Sequence, residues 1–320
     1  MRPTFIVSID EELIWGSFDH TPALRFEREN PDLRGVFREL VSLFDELRVP
    51  ATWALVGHLF LASCARGEDG RAHGDLARPR YRWFERDWFG ADPCTDRDRD
   101  PLWYGDDLVD AVLSARAGHE VGCHSFSHLV YGDAGCSARA AADDLRACVE
   151  SARTRGITLR SFVFPRNSEG HHALLRDNGF LCYRGEDPTW FRPLPGTLKR
   201  SGHLIDQATA LSPPVSEPNE QLAGLWNLPG SMLLLHRRGV RRFIPIAARI
   251  RKARLGLERA VREGKLFHLW FHPFNFAVDR AAMMSVLRAV LTHAVELRER
   301  GRLDIRTMGD LAAELAGGRA

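Results

Sequence analysis

The chain lacks the long apolar run that a membrane-spanning helix requires. Such a helix needs about 20 consecutive apolar residues, and no segment of the 320-residue sequence approaches that length. The amino terminus, MRPTFIVSIDEE, reaches its first acidic residue at Asp10 and lacks the apolar core of a signal peptide. These absences predict a cytoplasmic protein with no transmembrane segment.

The chain also lacks a cysteine framework and an excess of charge of one sign. None of the six cysteines belongs to a CxxC pair, a spacing that predicts free thiols, although an even number leaves disulfides open. Lys and Arg together number 44 and Asp and Glu 42, so the overall charge gives no reason to expect a nucleic-acid partner.

Apolar runs alternate with helical apolar stripes along the chain. Strands are predicted at 4–10, 50–57, 120–125, 159–166, 180–185, 265–273 and in the last twenty residues. Helices are predicted at 32–49, 107–119, 138–156, 171–179, 279–301 and at the carboxyl end. The alternation predicts a parallel α/β sheet, either open or closed into a barrel.

Two segments interrupt the alternation. Residues 64–106, rich in Arg, Asp and aromatic side chains, are predicted to form a long insertion after the second strand, over the site. Residues 186–265 are predicted to supply substrate-side loops and a basic helix. Without a repeat or a convincing second domain, 1–320 is interpreted as one domain.

Four polar side chains follow predicted strands at or just beyond their carboxyl ends. They are Asp10, His124, Arg166 and His272. In parallel α/β folds, functional groups converge at this edge of the sheet. The His124–His128 pair carries less weight alone, because about 0.5 such pairs are expected by chance from 13 histidines in 320 residues.

Several sequence motifs together resemble the polysaccharide deacetylase family, also called the NodB-homology or carbohydrate esterase family 4 enzymes. The matching strings are SIDEELIWG at residue 8, HSFSH at 124, FVFPRN at 162 and LWFHP at 269. The resemblance extends over nearly the whole chain, with loose spacing in the middle. It implies an α/β fold of the incomplete (β/α)7 barrel type and a metal-dependent hydrolase.

The resemblance also implies a division of roles among these residues. A divalent metal would be held by Glu12, His124 and His128, leaving positions for water and substrate. The metal-bound water would attack an amide carbonyl, with Asp10 as base and His272 as acid. Zn²⁺ suits this donor set, although Co²⁺, Ni²⁺ or Mn²⁺ would also bind.

The acidic ligand has two candidates, because Asp10 is followed by two glutamates. Successive side chains of a strand point to opposite faces, so Glu12 shares the face of Asp10 and Glu11 does not. Glu12 is therefore favoured, and the choice stays open at this point. Trp15, three residues on, is a candidate pocket wall that binds substrate.

The remaining motifs match less closely. Arg166 follows Pro165, whereas the family's arginine precedes its prolines. Arg166 is expected to orient Asp10 and to keep its carboxylate ionised. Asn167 is a candidate substrate contact. The fourth motif is represented only by RGEDPTW at residue 184, in which Asp187 is a weak candidate to orient His272 and Trp190 to line the pocket.

Each candidate also has an ordinary structural interpretation. The imidazoles of His124 and His128 could be exposed, His272 could end a strand, and Arg166 could belong to a surface ion pair. His268 lies about 13 Å from His272 at ~3.3 Å per strand residue, so it is interpreted as structural.

The function predicted from these residues is hydrolysis of an N-acyl group, with N-acetyl favoured, from an amino sugar or glycoconjugate. One alternative is a deformylase or cyclic-amide hydrolase of the same fold; another is a non-catalytic sugar-binding relative. The basic segment 236–265, with eleven Lys or Arg against two Glu, is a solvated helix, a lip for an anionic sugar linked to a nucleotide or lipid phosphate, or a contact with an anionic membrane surface. The oligomeric state is left open.

Overall fold

A computed structural model describes residues 1–191 and 193–317 of the chain. Its core is one sheet of ten strands: β1 (Thr4–Glu11), β2 (Thr52–Leu55), β3 (Glu120–Cys123), β4 (Ser161–Val163), β5 (Cys182–Arg184), β6 (Asn219–Leu222), β7 (Leu225–Asn227), β8 (Met232–Leu233), β9 (Leu266–Phe271) and β10 (Asp304–Arg306). The helices are α1 (Ala23–Glu29), α2 (Leu33–Leu47), α3 (Asp106–Leu113), α4 (Ala138–Arg153), α5 (His172–Asp177), α6 (Gly196–Thr209), α7 (Ile246–Glu263), α8 (Arg280–Glu299) and α9 (Met308–Gly317).

The strand order is β6-β7-β5-β4-β3-β2-β1-β9-β8, with β10 beside the first half of β1. Among the strands of the described residues, the β6–β7 pair alone is antiparallel. Among the described strands, the end strands β6 and β8 do not pair with each other, so the curled sheet does not close into a full barrel. The predicted incomplete (β/α) barrel is therefore confirmed.

The longest strands read as continuous apolar runs because both of their faces are covered. All eight residues of β1 and all six of β9 are buried, as expected for parallel strands with helices outside. Inside the barrel, Ile6, Ala54, Val163 and Cys182 form an apolar cluster with residues of α9. Helix α9 thereby fills the end of the barrel away from the carboxyl ends of the strands.

The insertion lies between the turn that follows β2 and the start of α3, and it contains no regular strand or helix. A 3₁₀ helix (Gly57–Phe60) follows β2, and turns and bends lead from there to α3. Trp88 and Trp103 are buried within this insertion, whereas Trp83 is 45% exposed. The insertion is therefore a packed layer with its own aromatic core.

The structure differs from the sequence prediction in 186–265. This segment was expected to consist of loops before a basic helix, but it contains helix α6 and strands β6, β7 and β8 as well as α7. The strands have only two to four residues, which is too short for a periodic signal.

Among the described residues, no helix has both the length and the apolarity needed to cross a bilayer.

Candidate functional site

The first strand carries the acidic residues of the site on its inner face. Ser8, Asp10 and Glu12 alternate along β1 and the residue after it, so their side chains share one direction. Glu11 points elsewhere: its Oε1 accepts a hydrogen bond from the backbone N–H of Leu13 at 2.9 Å. Glu12 therefore lies on the same side as Asp10 and Glu11 does not, and the assignment of Glu12 as the metal ligand stays a prediction.

Glu12 lies at the centre of a group of imidazoles. Its Oε1 is 3.0 Å from Nε2 of His124, 3.2 Å from Nε2 of His128 and 3.3 Å from Nε2 of His272. The side chains of Glu12, His124 and His128 are all buried, with ligand atoms within 4.8 Å of one another. A carboxylate and two imidazole nitrogens this close match the donor set that Zn²⁺ and similar divalent cations take.

The tautomer of His124 is set by a hydrogen bond on the far side of its ring. Nδ1 lies 2.8 Å from the carbonyl oxygen of Val163, and a carbonyl can only accept, so Nδ1 carries the hydrogen. In the neutral imidazole, Nε2 therefore has a free lone pair directed at Glu12. A backbone partner of this kind orients metal-binding histidines in proteins, so the residues present fit a metal.

A buried carboxylate on α4 shapes the loop that holds both histidines. Asp144 accepts hydrogen bonds from the hydroxyl groups of Ser125, Ser127 and Tyr131 at 2.8, 2.8 and 3.0 Å. It also accepts from the backbone N–H groups of Phe126 and Ser127 at 2.9 and 3.1 Å. These bonds hold a loop in which Ser125 and His128 adopt positive φ angles of 64° and 59°.

Asp10 is bound by Arg184, not by Arg166 as expected. Arg184 Nη1 and Nη2 donate to the two carboxylate oxygens of Asp10 at 2.7 and 2.6 Å. Both side chains are at most 2% exposed. Arg184 ends β5, and its guanidinium stacks on the ring of Trp270 at 4.1 Å.

The expectation for Arg166 is therefore corrected. Arg166 and Asn167 adopt positive φ angles of 57° and 51°, and this turn directs Arg166 outward. Its Nη2 donates to Asp19 at 2.6 Å, and its guanidinium lies 4.9 Å from the centre of the Trp83 ring. It lies at the rim of the site rather than on Asp10.

At Asp10 and at His272, burial and the neighbouring charges shift the pKa in opposite directions. Burial raises the pKa of Asp10, but the charge and hydrogen bonds of Arg184 together with the neighbouring imidazoles outweigh burial, so the net pKa lies below the ordinary aspartate value. Burial lowers the pKa of His272, but the carboxylates of Glu12 and Asp10 outweigh it and the net pKa lies above the ordinary value. The charged forms of both groups are thus favoured where they lie side by side, with His272 Nε2 3.7 Å from Asp10 Oδ2.

A cleft of about 260 Å³ opens over these groups. Besides the acidic residues and the three imidazoles, it is lined by Gly16, Ser17, His20, Phe164, Arg166, Asn167, Trp270 and Phe274. Asn167 is placed where a substrate contact was expected, and its Oδ1 also accepts from Arg184 at 3.3 Å.

Two tryptophans expected at the substrate are not in this cleft. Trp15 is 1% exposed and donates from Nε1 to the carbonyl of Trp103 at 3.2 Å, so it belongs to the core beneath the insertion. Trp190 is 52% exposed and lines a separate cavity with Lys252. Asp187 accepts from Trp270 Nε1 at 3.0 Å and so contacts the site through that ring instead of orienting His272.

Sequence reasoning missed Arg184, Asp144 and His20. The signal for Arg184 was present, because FLCYRG ends a predicted buried strand with an arginine, as TFIVSID ends one with Asp10. Asp144 lay within a predicted amphipathic helix, where nothing marks one of two adjacent aspartates as buried. His20 follows a turn whose course depends on the insertion.

Comparisons with known proteins give matches of structure only. No protein-family model matches the sequence, and no curated protein matches it. A structure from Mycobacterium smegmatis assigned as a polysaccharide deacetylase is similar over 99% of this chain and 91% of its own, with 17% identity and a TM-score of 0.62. One from Pseudomonas aeruginosa PAO1 with the same assignment is 13% identical over 97% and 90% of the two chains, with a TM-score of 0.56.

The same fold also carries other chemistry. The allantoinase Puue is 12% identical over 97% of this chain and 89% of its own, with a TM-score of 0.56. These likenesses show that the chain has the fold its motifs predicted. Because a fold hosts many reactions, activity has to be argued from the side chains in the cleft.

Proposed function

We propose that this protein is a metal-dependent amidohydrolase that removes an acetyl group from the nitrogen of an amino sugar. The observation that carries the proposal is the convergence of Glu12, His124 and His128 beside Asp10 and His272 at the carboxyl ends of the strands. The fold, shared with structures assigned as polysaccharide deacetylases, supports the choice of substrate class.

Glu12, His124 and His128 would hold the cation, and Zn²⁺ is the preferred occupant of this donor set. When bound there, a divalent cation polarises the amide carbonyl and makes water a better nucleophile near neutral pH. The chain supplies everything else, from the placement of the amide to both proton transfers.

Asp10 takes the proton from the attacking water as its oxygen bonds to the carbonyl carbon. The Arg184 guanidinium keeps Asp10 charged and fixes its carboxylate plane, because both terminal nitrogens donate to it. His272, whose protonated form is favoured by the carboxylates of Glu12 and Asp10, donates a proton to the nitrogen as the C–N bond breaks. The products are acetate and the free amine.

A non-catalytic sugar-binding protein is disfavoured by the pair Asp10 and His272. Burying a charged aspartate costs free energy unless it is paired, and here the buried Arg184 pairs with Asp10. A protein that only bound sugar would have no need of this arrangement.

The residues that line the cleft give no reason to propose an anionic, phosphate-linked substrate. None of the described residues that line it comes from the basic segment 236–265. Within that segment, Arg249 donates to the carbonyl oxygens of Leu235 and Arg241, and Lys252 pairs with Asp206. These two cations stabilise the fold.

A test compares the wild type with Asp10→Asn on three classes of substrate: N-acetylated amino sugars, formylated amines and cyclic ring amides. We expect release of acetate from the first class, and a loss of about 10²- to 10⁴-fold in kcat in the variant with unchanged metal content. Turnover confined to formylated or cyclic amides would move the assignment to the alternative hydrolases. Equal turnover by Asp10→Asn would refute the role of Asp10.

A further inference from the structure

The insertion contains a second group of metal-binding side chains, separate from the cleft. It consists of His58 on the 3₁₀ helix after β2 and of Cys64, His73 and Asp92 in the insertion itself. Their ligand atoms all lie within 4.8 Å of one another. None of these residues lines the cleft around Glu12.

Asp92 Oδ2 lies at the centre of this group, close to a ligand atom of each of the other three residues. It lies 3.0 Å from Nε2 of His58, 2.8 Å from Nε2 of His73 and 3.5 Å from Sγ of Cys64. The arrangement matches that of Glu12 with its imidazoles: one buried carboxylate oxygen lies among the nitrogens of two histidines.

The buried ring of His58 has a nitrogen without a hydrogen-bond partner. Nδ1 lies 3.1 Å from the carbonyl oxygen of Trp103 and must donate to it. In the neutral ring Nε2 then carries a lone pair, and it faces Asp92 Oδ2 without hydrogen-bonding geometry. Two lone pairs at 3.0 Å repel each other, and a cation between them turns this repulsion into two bonds.

Protonating His58 is the other way to remove the repulsion, but it is costly here. The side chains of His58 and Asp92 have 0% exposure, and an imidazolium loses its hydration when it is buried. The rings of Trp15, Tyr104 and Phe126 surround His58 at 4.6, 5.2 and 5.6 Å. One thiol, two imidazoles and one carboxylate supply four donors of the kinds that bind Zn²⁺, the number that a tetrahedral site needs.

We propose that His58, Cys64, His73 and Asp92 bind a structural Zn²⁺ that fastens the insertion to the barrel. Binding displaces the proton of the Cys64 thiol to solvent, because the thiolate is the ligand. The Trp103 carbonyl orients His58, and Tyr104 contacts both Cys64 Sγ at 3.3 Å and Asp92 Oδ1 at 3.4 Å. Such outer contacts are a regular part of metal sites.

The consequence is mechanical and does not depend on the proposed reaction. Three of the ligands come from the insertion and the fourth from the turn directly after β2. The cation would therefore close the long loop between them and hold Trp15, whose ring lies against His58, in place behind the cleft.

Cobalt substitution tests the proposal, because of the two groups found among the described residues only this one contains a sulfur atom. The reduced full-length chain is stripped with a chelator and titrated with Co²⁺. We expect a thiolate-to-cobalt charge-transfer band in the near ultraviolet that reaches its maximum by two equivalents, when the cleft and this site are both filled, and whose final intensity corresponds to one cobalt bound to thiolate per chain. His128→Ala, which removes a ligand of the cleft, should retain the band, and Cys64→Ser should lose it.

Two matched variants keep the result interpretable. Cys94→Ser, at the neighbouring thiol, should retain the band, and His73→Gln should bind one Zn²⁺ fewer than the wild type while keeping its circular dichroism. The absence of the band in the reduced wild type, or its survival in Cys64→Ser, would overturn the proposal and leave a hydrogen-bonded network only. Neither result would bear on hydrolysis, which is read from His128→Ala.

Discussion

Arg184 donates both of its terminal nitrogens to the carboxylate of Asp10, at 2.7 and 2.6 Å, in a fully buried pair. The same guanidinium reaches Ser8 Oγ at 2.9 Å, and Ser8 Oγ lies 2.9 Å from Nε2 of His268. His268 Nδ1 in turn donates to the carbonyl of Leu228, so Ser8 donates to Nε2. Asp10, the proposed general base, is thus held by a chain of hydrogen bonds through the barrel interior.

The first prediction concerns that ion pair. Arg184→Lys keeps the positive charge but loses the planar fork, and hydrogen bonds to charged groups are each worth about 1.5–3 kcal/mol. We expect kcat to fall roughly 10- to 100-fold with metal content unchanged. Arg166→Lys, which leaves the bonds to Asp10 intact, should cost less; the reverse order in steady-state kinetics would restore Arg166 to the role first expected of it.

A second prediction concerns the space around Glu12. A Cβ at Gly16 would lie 1.7 Å from Glu12 Oε2, so Gly16→Ala has to displace the carboxylate. We expect the affinity for Zn²⁺ to fall about 10- to 100-fold, measured by calorimetric titration. Gly317→Ala is the control, because nothing lies within 4 Å of a Cβ there. Equal affinities would show that Glu12 is not a ligand.

A third prediction concerns Asp144, which accepts five hydrogen bonds from the loop of His124 and His128. Asp144→Asn converts one accepting oxygen into a donor and leaves at least one buried donor unpaired. We expect the free energy of unfolding to fall by about 1–3 kcal/mol, with weaker metal binding. Glu150→Gln on the exposed side of α4 should change little in the same urea titration, and a similar loss in both variants would contradict a special role for Asp144.

A fourth prediction concerns stability at acid pH. His119 Nδ1 accepts from the backbone N–H of Ala51 at 3.2 Å, and burial lowers the pKa of His119 to about 4. Since the folded pKa lies below the unfolded one, the unfolded chain takes up a proton first as the pH falls. The stabilisation present above pH ~6.5 is therefore lost between about 6.5 and 4.

His119→Asn keeps an acceptor near Ala51 but does not titrate. Between pH 7 and pH 5, the wild type should lose about 2 kcal/mol of unfolding free energy more than this variant does. Urea denaturation at the two pH values measures the difference. Parallel losses in the two proteins would show that His119 is protonated in the folded state.

The sequence predicted the parts of this molecule that follow local rules. Continuous apolar runs located β1 and β9, and the rule that functional groups lie at strand ends located Asp10, His124 and His272. Alternation of side chains along a strand was enough to prefer Glu12 to Glu11.

The parts that it could not predict depend on packing between distant segments. Arg166 points outward because Arg166 and Asn167 both have positive φ angles. The residue types at these positions do not predict that backbone conformation. Trp15 is covered by an insertion that begins about fifty residues later. The group of His58, Cys64, His73 and Asp92 comes together only when this insertion folds back onto the barrel.

The most direct test of the central claim is anomalous diffraction from crystals grown with Zn²⁺, with data on both sides of the zinc absorption edge. We expect a peak bonded to Glu12, to Nε2 of His124 and to Nε2 of His128, within about 2.0–2.2 Å of each ligand atom. A map with no anomalous density among these three side chains, from crystals saturated with zinc, would contradict the metal-dependent hydrolase proposed here.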